Sequence, residues 1–263
     1  MHVSLLQNGW LPQQASEGSQ AGFLRMGLGG AVMNETMKVH KQEAARAALE
    51  LVRPGMVVGL GHGSTVLWAV RLLGQWLHEG KLHDVTTVPC SMLVEREARA
   101  LGIPLKQLDD VSRLDLVLDG ADELTPNLDC IKGGGGALLK EKILAQATGK
   151  LVLIADSSKL SPALGTHWPV PVECIPWGRR FQAAFLESLG ATVVLRRDAE
   201  GRAFQTEQGN IILDCDFGPI ADPARLARQL AARAGIVEHG LFLGMAGEAL
   251  LAGPQGLQRL RRQ

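Results

Sequence analysis

Apolar positions along this chain follow two alternating rhythms. In "VLWAVRLLGQWL" (66–77) they recur at three- and four-residue spacing, which predicts a helix with one buried side. "MVVGLG" (56–61), "VTTVP" (85–89), "LDLVLDGAD" (114–122) and "KLVLIADSSK" (150–159) instead carry short apolar runs ending in turn residues, and these predict strands. Helix-forming stretches separate them. "NETMKVHKQEAARAALELV" (34–52) opens at a candidate Asn34 cap and stops before Arg53-Pro54-Gly55, while "SMLVEREARALG" (91–102) closes on glycine and "ALLKEKILAQATG" (137–149) follows. Strands alternating with helices of this length predict an α/β fold, a mostly parallel sheet with helices on both faces.

After Lys159 the rhythm changes. The proline-rich "PALGTHWPVPVECIPWG" (162–178) precedes a helix over about 179–189, and then come the strands "ATVVLRR" and "NIILDC" and the helix "DPARLARQLAARAG". That order predicts a smaller α+β (ferredoxin-like) unit over 166–237. "VEHGLFLG" (237–244) reads as a strand returning to the first sheet, so 34–165 and 238–263 form the larger unit. The first 33 residues show no clear period and carry only Glu17 and Arg25 as formal charges. They read as a poorly ordered extension or as translation from an upstream start. They lack the basic and apolar regions of a secretory signal.

Composition narrows the function classes. Lys and Arg total 27, as do Asp and Glu, and no basic stripe is present to follow a phosphate backbone, which argues against nucleic acid. No apolar run reaches membrane-spanning length. Cys90, Cys130, Cys174 and Cys215 are widely spaced, without a C-x-x-C pair, and read as small core residues in a reducing compartment. Single, scattered histidines argue against a bound metal.

The chemically loaded segments sit at the predicted carboxyl ends of strands, where open α/β sheets bind ligands. In "GLGHGSTV", His62, Gly63, Ser64 and Thr65 offer backbone N–H groups and hydroxyls at a helix start, which suits a phosphate, although for so short a motif taken alone a plain capped turn is the favoured reading. The loop lacks the G-K-[ST] ending of a P-loop, and Val66 breaks the G-x-G-x-x-G fingerprint of dinucleotide sites. "DGAD" (Asp119, Gly120, Ala121, Asp122) is either a carboxylate pair for proton transfer or a turn capped by its own side chains. In "KGGGGALLKEKI", Lys132 and Gly133, Gly134 and Gly135 could cradle an anion at a helix start, or the run is a flexible hinge. Glu141 faces that pocket or pairs with a neighbouring lysine in solvent. Lys159 ends the next strand, and Lys41 lies on the first helix.

Taken in order and at their spacing, "GLGHGST", "DGADE", "IKGGGGALLKEKI", "IADSSK" and "PVPVECIPW" resemble the ribose-5-phosphate isomerase A family from about residue 36 onward. The resemblance implies a Rossmann-like sheet with a small α+β lid, and a cytoplasmic, cofactor-free, metal-independent enzyme that is a homodimer or a tetramer. It implies that Glu141 is the general base acting on a sugar phosphate. Asp119, Asp122 and Lys132 fall at acid/base and charge-stabilising positions, Ser64, Thr65 and Lys159 at substrate and phosphate contacts, and Lys41 at a phosphate-side lysine. A non-catalytic sugar-phosphate sensor on the same fold would keep the phosphate loop without needing Glu141. Two positions depart from the family pattern. His62 stands where threonine is usual, so the loop either reads phosphate with a partly charged imidazole or admits a related sugar. Gly136 stands where alanine is common, a minor difference.

Overall fold

The computed structural model describes residues 35–262, so the expectations for residues 1–33 and the Asn34 cap lie outside the described residues. The chain begins with helix α1 (Glu35–Leu49), then β1 (Val57–Leu60), α2 (Ser64–His78), β2 (Thr86–Pro89), α3 (Met92–Ala100) and β3 (Leu116–Asp119). Two short strands follow, β4 (Glu123–Leu124) and β5 (Cys130–Ile131), then α4 (Leu138–Gln146) and β6 (Leu151–Asp156). Next come β7 (Val170–Cys174), α5 (Arg179–Ser188), β8 (Thr192–Leu195), β9 (Ile211–Asp216), α6 (Pro223–Ala231) and β10 (Ile236–His239). The last elements are β11 (Leu241–Phe242), β12 (Ala246–Gly253) and β13 (Gly256–Arg261).

The main sheet has six strands in the order β13-β12-β6-β3-β1-β2, all parallel except β13. Alternation along its strands divides the core in two. Leu116, Leu118, Val152, Ile154, Leu250 and Ala252 pack on one side with α1, α2 and α3. Val117, Leu151, Leu153, Ala155, Ala249 and Leu251 pack on the other with Leu144 of α4 and with Leu124, Cys130 and Phe242 of the short strands. Two-sided burial explains why the strands read as continuous apolar runs. The α/β expectation, with helices on both faces, matches this arrangement.

Strands β7, β9, β8 and β10 form a second, antiparallel sheet in the order β10-β7-β9-β8. With α5 and α6 this is a βαββαβ, ferredoxin-like unit with its own core around Val172, Leu186, Leu213 and Leu230. Here one expectation fails. "VEHGLFLG" does not return to the main sheet: its first half is β10, whose His239 pairs with Val172, so the small sheet runs past residue 237. Its second half is β11, beside β5 in a three-stranded sheet with β4. The strand that does return is β12, which pairs with β6 and turns back through Pro254 and Gln255 into β13.

This topology positions the site. From β1 the chain passes to β2 on one side and then to β3 and β6 on the other, so a crevice opens above adjacent strand ends.

Candidate active site

Three strand-end loops and one glycine loop converge on this crevice. The 61–65 loop follows β1, the 120–122 loop follows β3, the 157–159 turn follows β6, and Lys132 follows β5. Lys41, His62, Gly63, Ser64, Thr65, Gly120, Ala121, Asp122, Lys132, Gly133, Gly134, Gly135, Glu141 and Lys159 all line one cleft. Asp119 is the exception among the candidates: wholly buried, it stands behind Lys132.

At the cleft floor three buried charges meet. The Lys132 ammonium lies 2.8 Å from Asp119 Oδ1 and 3.0 Å from Glu141 Oε1, and it donates to the Gly120 carbonyl at 2.7 Å. These acceptors match its three protons, and Lys132 is 2% exposed. Asp119 Oδ1 also accepts from the backbone N–H groups of His62 and Gly120. Glu141 is 2% exposed, and its Oε2 has no partner among the described residues. Burial pushes its carboxyl up to about 8, with the nearby Asp119 charge adding to the rise and Lys132 opposing it. Burial likewise raises Asp119 against the pull of Lys132. Burial alone would lower Lys132, but the two carboxylates outweigh it and hold the ammonium well above its ordinary value. Glu141 is therefore neither solvent-facing nor paired with a helix neighbour.

The glycine run forms a tight turn. Gly133 and Gly136 have φ of +105° and +81°, and the Gly136 N–H donates to the Gly133 carbonyl. Asp122 Oδ2 accepts from Gly134 N–H at 2.7 Å, leaving the N–H groups of Gly133 and Gly135 without partners among the described residues. Gly136 is more than a minor difference here, because a Cβ there would sit 2.5 Å from the Phe204 ring.

The other end of the cleft carries cations and an open helix start. Gly63 precedes α2 at φ +120° with no side-chain cap. Lys41 Nζ donates to Ser64 Oγ at 2.9 Å, and the Lys159 ammonium lies 4.8 Å from the Trp168 ring centroid. Burial, reinforced by Lys159, lowers the Lys41 amine, and Asp156 counters it. Uncapped N–H groups, a hydroxyl and two lysines together suit a doubly charged anion. Among the described residues no three His, Cys, Asp or Glu side chains gather as metal ligands.

Comparison with known proteins agrees with this geometry. The family model for ribose 5-phosphate isomerase A (phosphoriboisomerase A) matches residues 86–256. The chain belongs to this family. A ribose-5-phosphate isomerase A from Chloroflexus aurantiacus is 54% identical over 229 residues, covering 87% of this chain and 96% of its own. Two solved relatives superpose closely. A D-ribose-5-phosphate isomerase in complex with phospho-erythronic acid has a TM-score of 0.84 at 35% identity, covering 86% of this chain and 99% of its own. The ribose 5-phosphate isomerase from Plasmodium falciparum has a TM-score of 0.83 at 36% identity, covering 86% and 100% respectively.

Three side chains in or beside this cleft escaped sequence reasoning. Asp156 lines the cleft at the end of β6, holds Ser158 through Oδ1, and leaves its buried Oδ2 without a partner among the described residues. Its place in "IADSSK" at a predicted strand end was an available signal. Ser91 bonds His62 Nδ1 at 2.9 Å from the start of α3. Arg196, just past β8, donates to the carbonyls of Gly133 (2.7 Å) and Gly134 (3.1 Å) while paired with Asp214. By fixing those two carbonyls it orders the loop, and no local motif marks it.

Proposed function

We propose that this chain interconverts D-ribose 5-phosphate and D-ribulose 5-phosphate, a step of the non-oxidative pentose phosphate pathway, by moving one proton between C2 and C1 through a cis-enediolate. The observation that carries the reading is Glu141. Its buried carboxyl has one oxygen anchored on Lys132, the other without a partner among the described residues, and an affinity for protons raised to about 8. A base that takes a proton from carbon and returns it to the next carbon works best with such a pKa near neutrality.

The phosphate sits between Lys41, Ser64, Thr65, Lys159 and the start of α2, and this remote binding energy fixes C1 and C2 over Glu141. Asp122, whose Oδ2 is held by Gly134 N–H, keeps Oδ1 to exchange protons with the sugar oxygens during ring opening. Glu141 removes the C2 proton. Negative charge then develops on the enediolate oxygen, where the Gly133 and Gly135 N–H groups donate to it, each such donor being typically worth about 3–4 kcal/mol, and the nearby Lys132 ammonium stabilises it through its charge, its three protons being already engaged. Asp119 acts through Lys132, fixing its position. Asp122 Oδ1 carries the O2 hydroxyl proton to O1, Glu141 returns its own proton to C1 as C2–O2 becomes the ketone carbonyl, and the cycle needs no cofactor.

A non-catalytic sensor on this fold would gain nothing from Glu141, a buried acid that costs stability, so that reading is disfavoured. The division into a Rossmann-like unit and a small α+β lid, with its boundary near residue 239, belongs to the same proposal. So does a homodimer, with a tetramer as the alternative, and Trp177 (85% exposed) and Phe181 (75% exposed) on and before α5 support self-association. Light scattering on the purified protein tests it. A cytoplasmic location is supported by four buried, unpaired cysteines.

The test of function is a coupled assay of ribose 5-phosphate conversion, run beside other pentose and hexose phosphates, before and after exhaustive chelation. Turnover of ribose 5-phosphate that survives chelation is expected. A protein that binds the sugar phosphate without converting it would overturn the proposal.

A further inference from the structure

His62 carries more information than its place in the phosphate-like loop suggests. Its Nδ1 lies 2.9 Å from Ser91 Oγ. Ser91 is 4% exposed and caps α3, accepting from the Val94 N–H at 3.3 Å. The Ser91 hydroxyl has one proton to give, and among the described residues its only acceptor is His62 Nδ1. A buried hydroxyl proton without an acceptor is costly, so Nδ1 is the bare nitrogen and the ring proton resides on Nε2. That N–H makes no hydrogen bond to any described residue, and His62 lines both the cleft and an adjoining cavity beside Phe204 and Glu207. The Cδ2–Nε2 edge lies directly against Gly135: a Cβ there would fall on those two ring atoms. Burial, then the Lys132 ammonium, lower the imidazole, against the opposing pull of Asp119, Glu207 and Asp122. Both effects disfavour charge on the ring, which weighs against the expectation that it reads phosphate with a partial charge. The ring stands against Gly135 of the glycine loop, whereas the Lys41–Ser64 contact marks the other end of the cleft.

We infer that His62 is a sugar-recognising residue: its Nε2–H, fixed in that tautomer by Ser91, donates to a hydroxyl or carbonyl oxygen of the substrate's sugar portion rather than to its phosphate. This rests on the isomerase reading and adds a residue by which this chain differs from the usual threonine. The geometry also explains why position 135 must be glycine, since the imidazole needs the space of a side chain.

Two measurements on the full chain test it. Imidazole 1H–15N correlation spectra of the parent protein at neutral pH should show His62 protonated on Nε2 and bare on Nδ1; the reverse would overturn the tautomer and the inference with it. In kinetics, H62F keeps the ring shape but loses the donor, and kcat/KM for ribose 5-phosphate should fall about 3- to 10-fold, the range of one neutral hydrogen bond. The inhibition constant of inorganic phosphate should stay unchanged. H62Q, whose amide nitrogen reaches the Nε2 position, should recover most of that loss, and H62N, which reaches only the Nδ1 position, should not. Equal losses in H62Q and H62F, a parallel loss of phosphate affinity, or no loss at all would each overturn it. An inactive parent protein would instead refute the isomerase reading, leaving the tautomer to stand or fall on its own spectrum.

Discussion

Replacing Lys132 with methionine removes the charge on which the proposed chemistry turns while keeping much of the side chain's length. At 2.8 and 3.0 Å from two buried carboxylates, its ammonium interacts with each by about 5–6 kcal/mol at an effective dielectric constant near 20. Lys132 opposes the burial-driven rise of Glu141, so its loss sends that carboxyl further above about 8. The Coulomb figure corresponds to roughly 4 pKa units, and water entering the vacated space will reduce it, so one unit is the least expected. Two effects then separate in the pH profile of kcat/KM. The acid limb moves to higher pH by at least one unit, because less of the base is ionised at a given pH. The plateau also falls, by about 100-fold or more, because the positive charge that stabilises the oxyanion is gone. Breaking the buried cluster should cost about 3–5 kcal/mol of stability, read by urea unfolding, so activity is measured well below the shifted midpoint. A K132M protein with its acid limb unmoved and kcat/KM within ten-fold of the parent would refute the assignment of Lys132 and the electrostatic account of Glu141.

Other consequences follow from the same geometry. In the parent protein, kcat/KM should rise with pH to a plateau above about 8, because Glu141 must be ionised to accept the carbon-bound proton; a flat profile from pH 6 to 9 would contradict it. R196M frees the carbonyls of Gly133 and Gly134 from their clamp, and kcat should fall about ten-fold as the cradle's N–H groups lose their aim. Unchanged kcat would show that the loop holds itself. Burial pushes the thiols of Cys130 and Cys174 up to about 12 and raises those of Cys90 and Cys215. A thiol-specific chromogenic reagent should therefore leave all four unreacted until denaturant is added, and rapid labelling of the native protein would contradict their burial.

Much of this site could be read from the chain because its parts lie at strand ends, where apolar runs give way to polar and glycine-rich turns. β1, β3 and β6 are adjacent, so three loops separated by long stretches of sequence meet above them. What the sequence hid falls into two kinds. Contacts made across the molecule leave no local trace: Arg196 reaches the glycine loop from the small sheet, and Ser91 meets His62 from the next helix. Burial of charge defeats periodicity as well. On α4 the buried side consists of Leu138, Glu141, Lys142, Leu144 and Ala145, so an acid and a base occupy positions that an apolar stripe would normally fill. The partner of Lys142 that makes this tolerable, Glu238 of β10 at 2.7 Å, is supplied by the strand whose pairing was misread. Strand β12 was missed for a related reason, its small residues Ala246, Gly247, Ala249 and Ala252 giving only a weak strand signal.

One substitution asks directly whether Glu141 moves the proton between C2 and C1. Glu141→Gln keeps the shape of the side chain and an oxygen for Lys132, but it cannot accept a proton. Turnover and affinity for ribose 5-phosphate, measured separately by the coupled assay and by calorimetric titration, decide the matter. The account predicts a loss in kcat of about 1,000-fold or more, within the range of a removed general base and its oriented chemistry, with affinity changed by less than about ten-fold. An E141Q protein that turns over within a few-fold of the parent would contradict it.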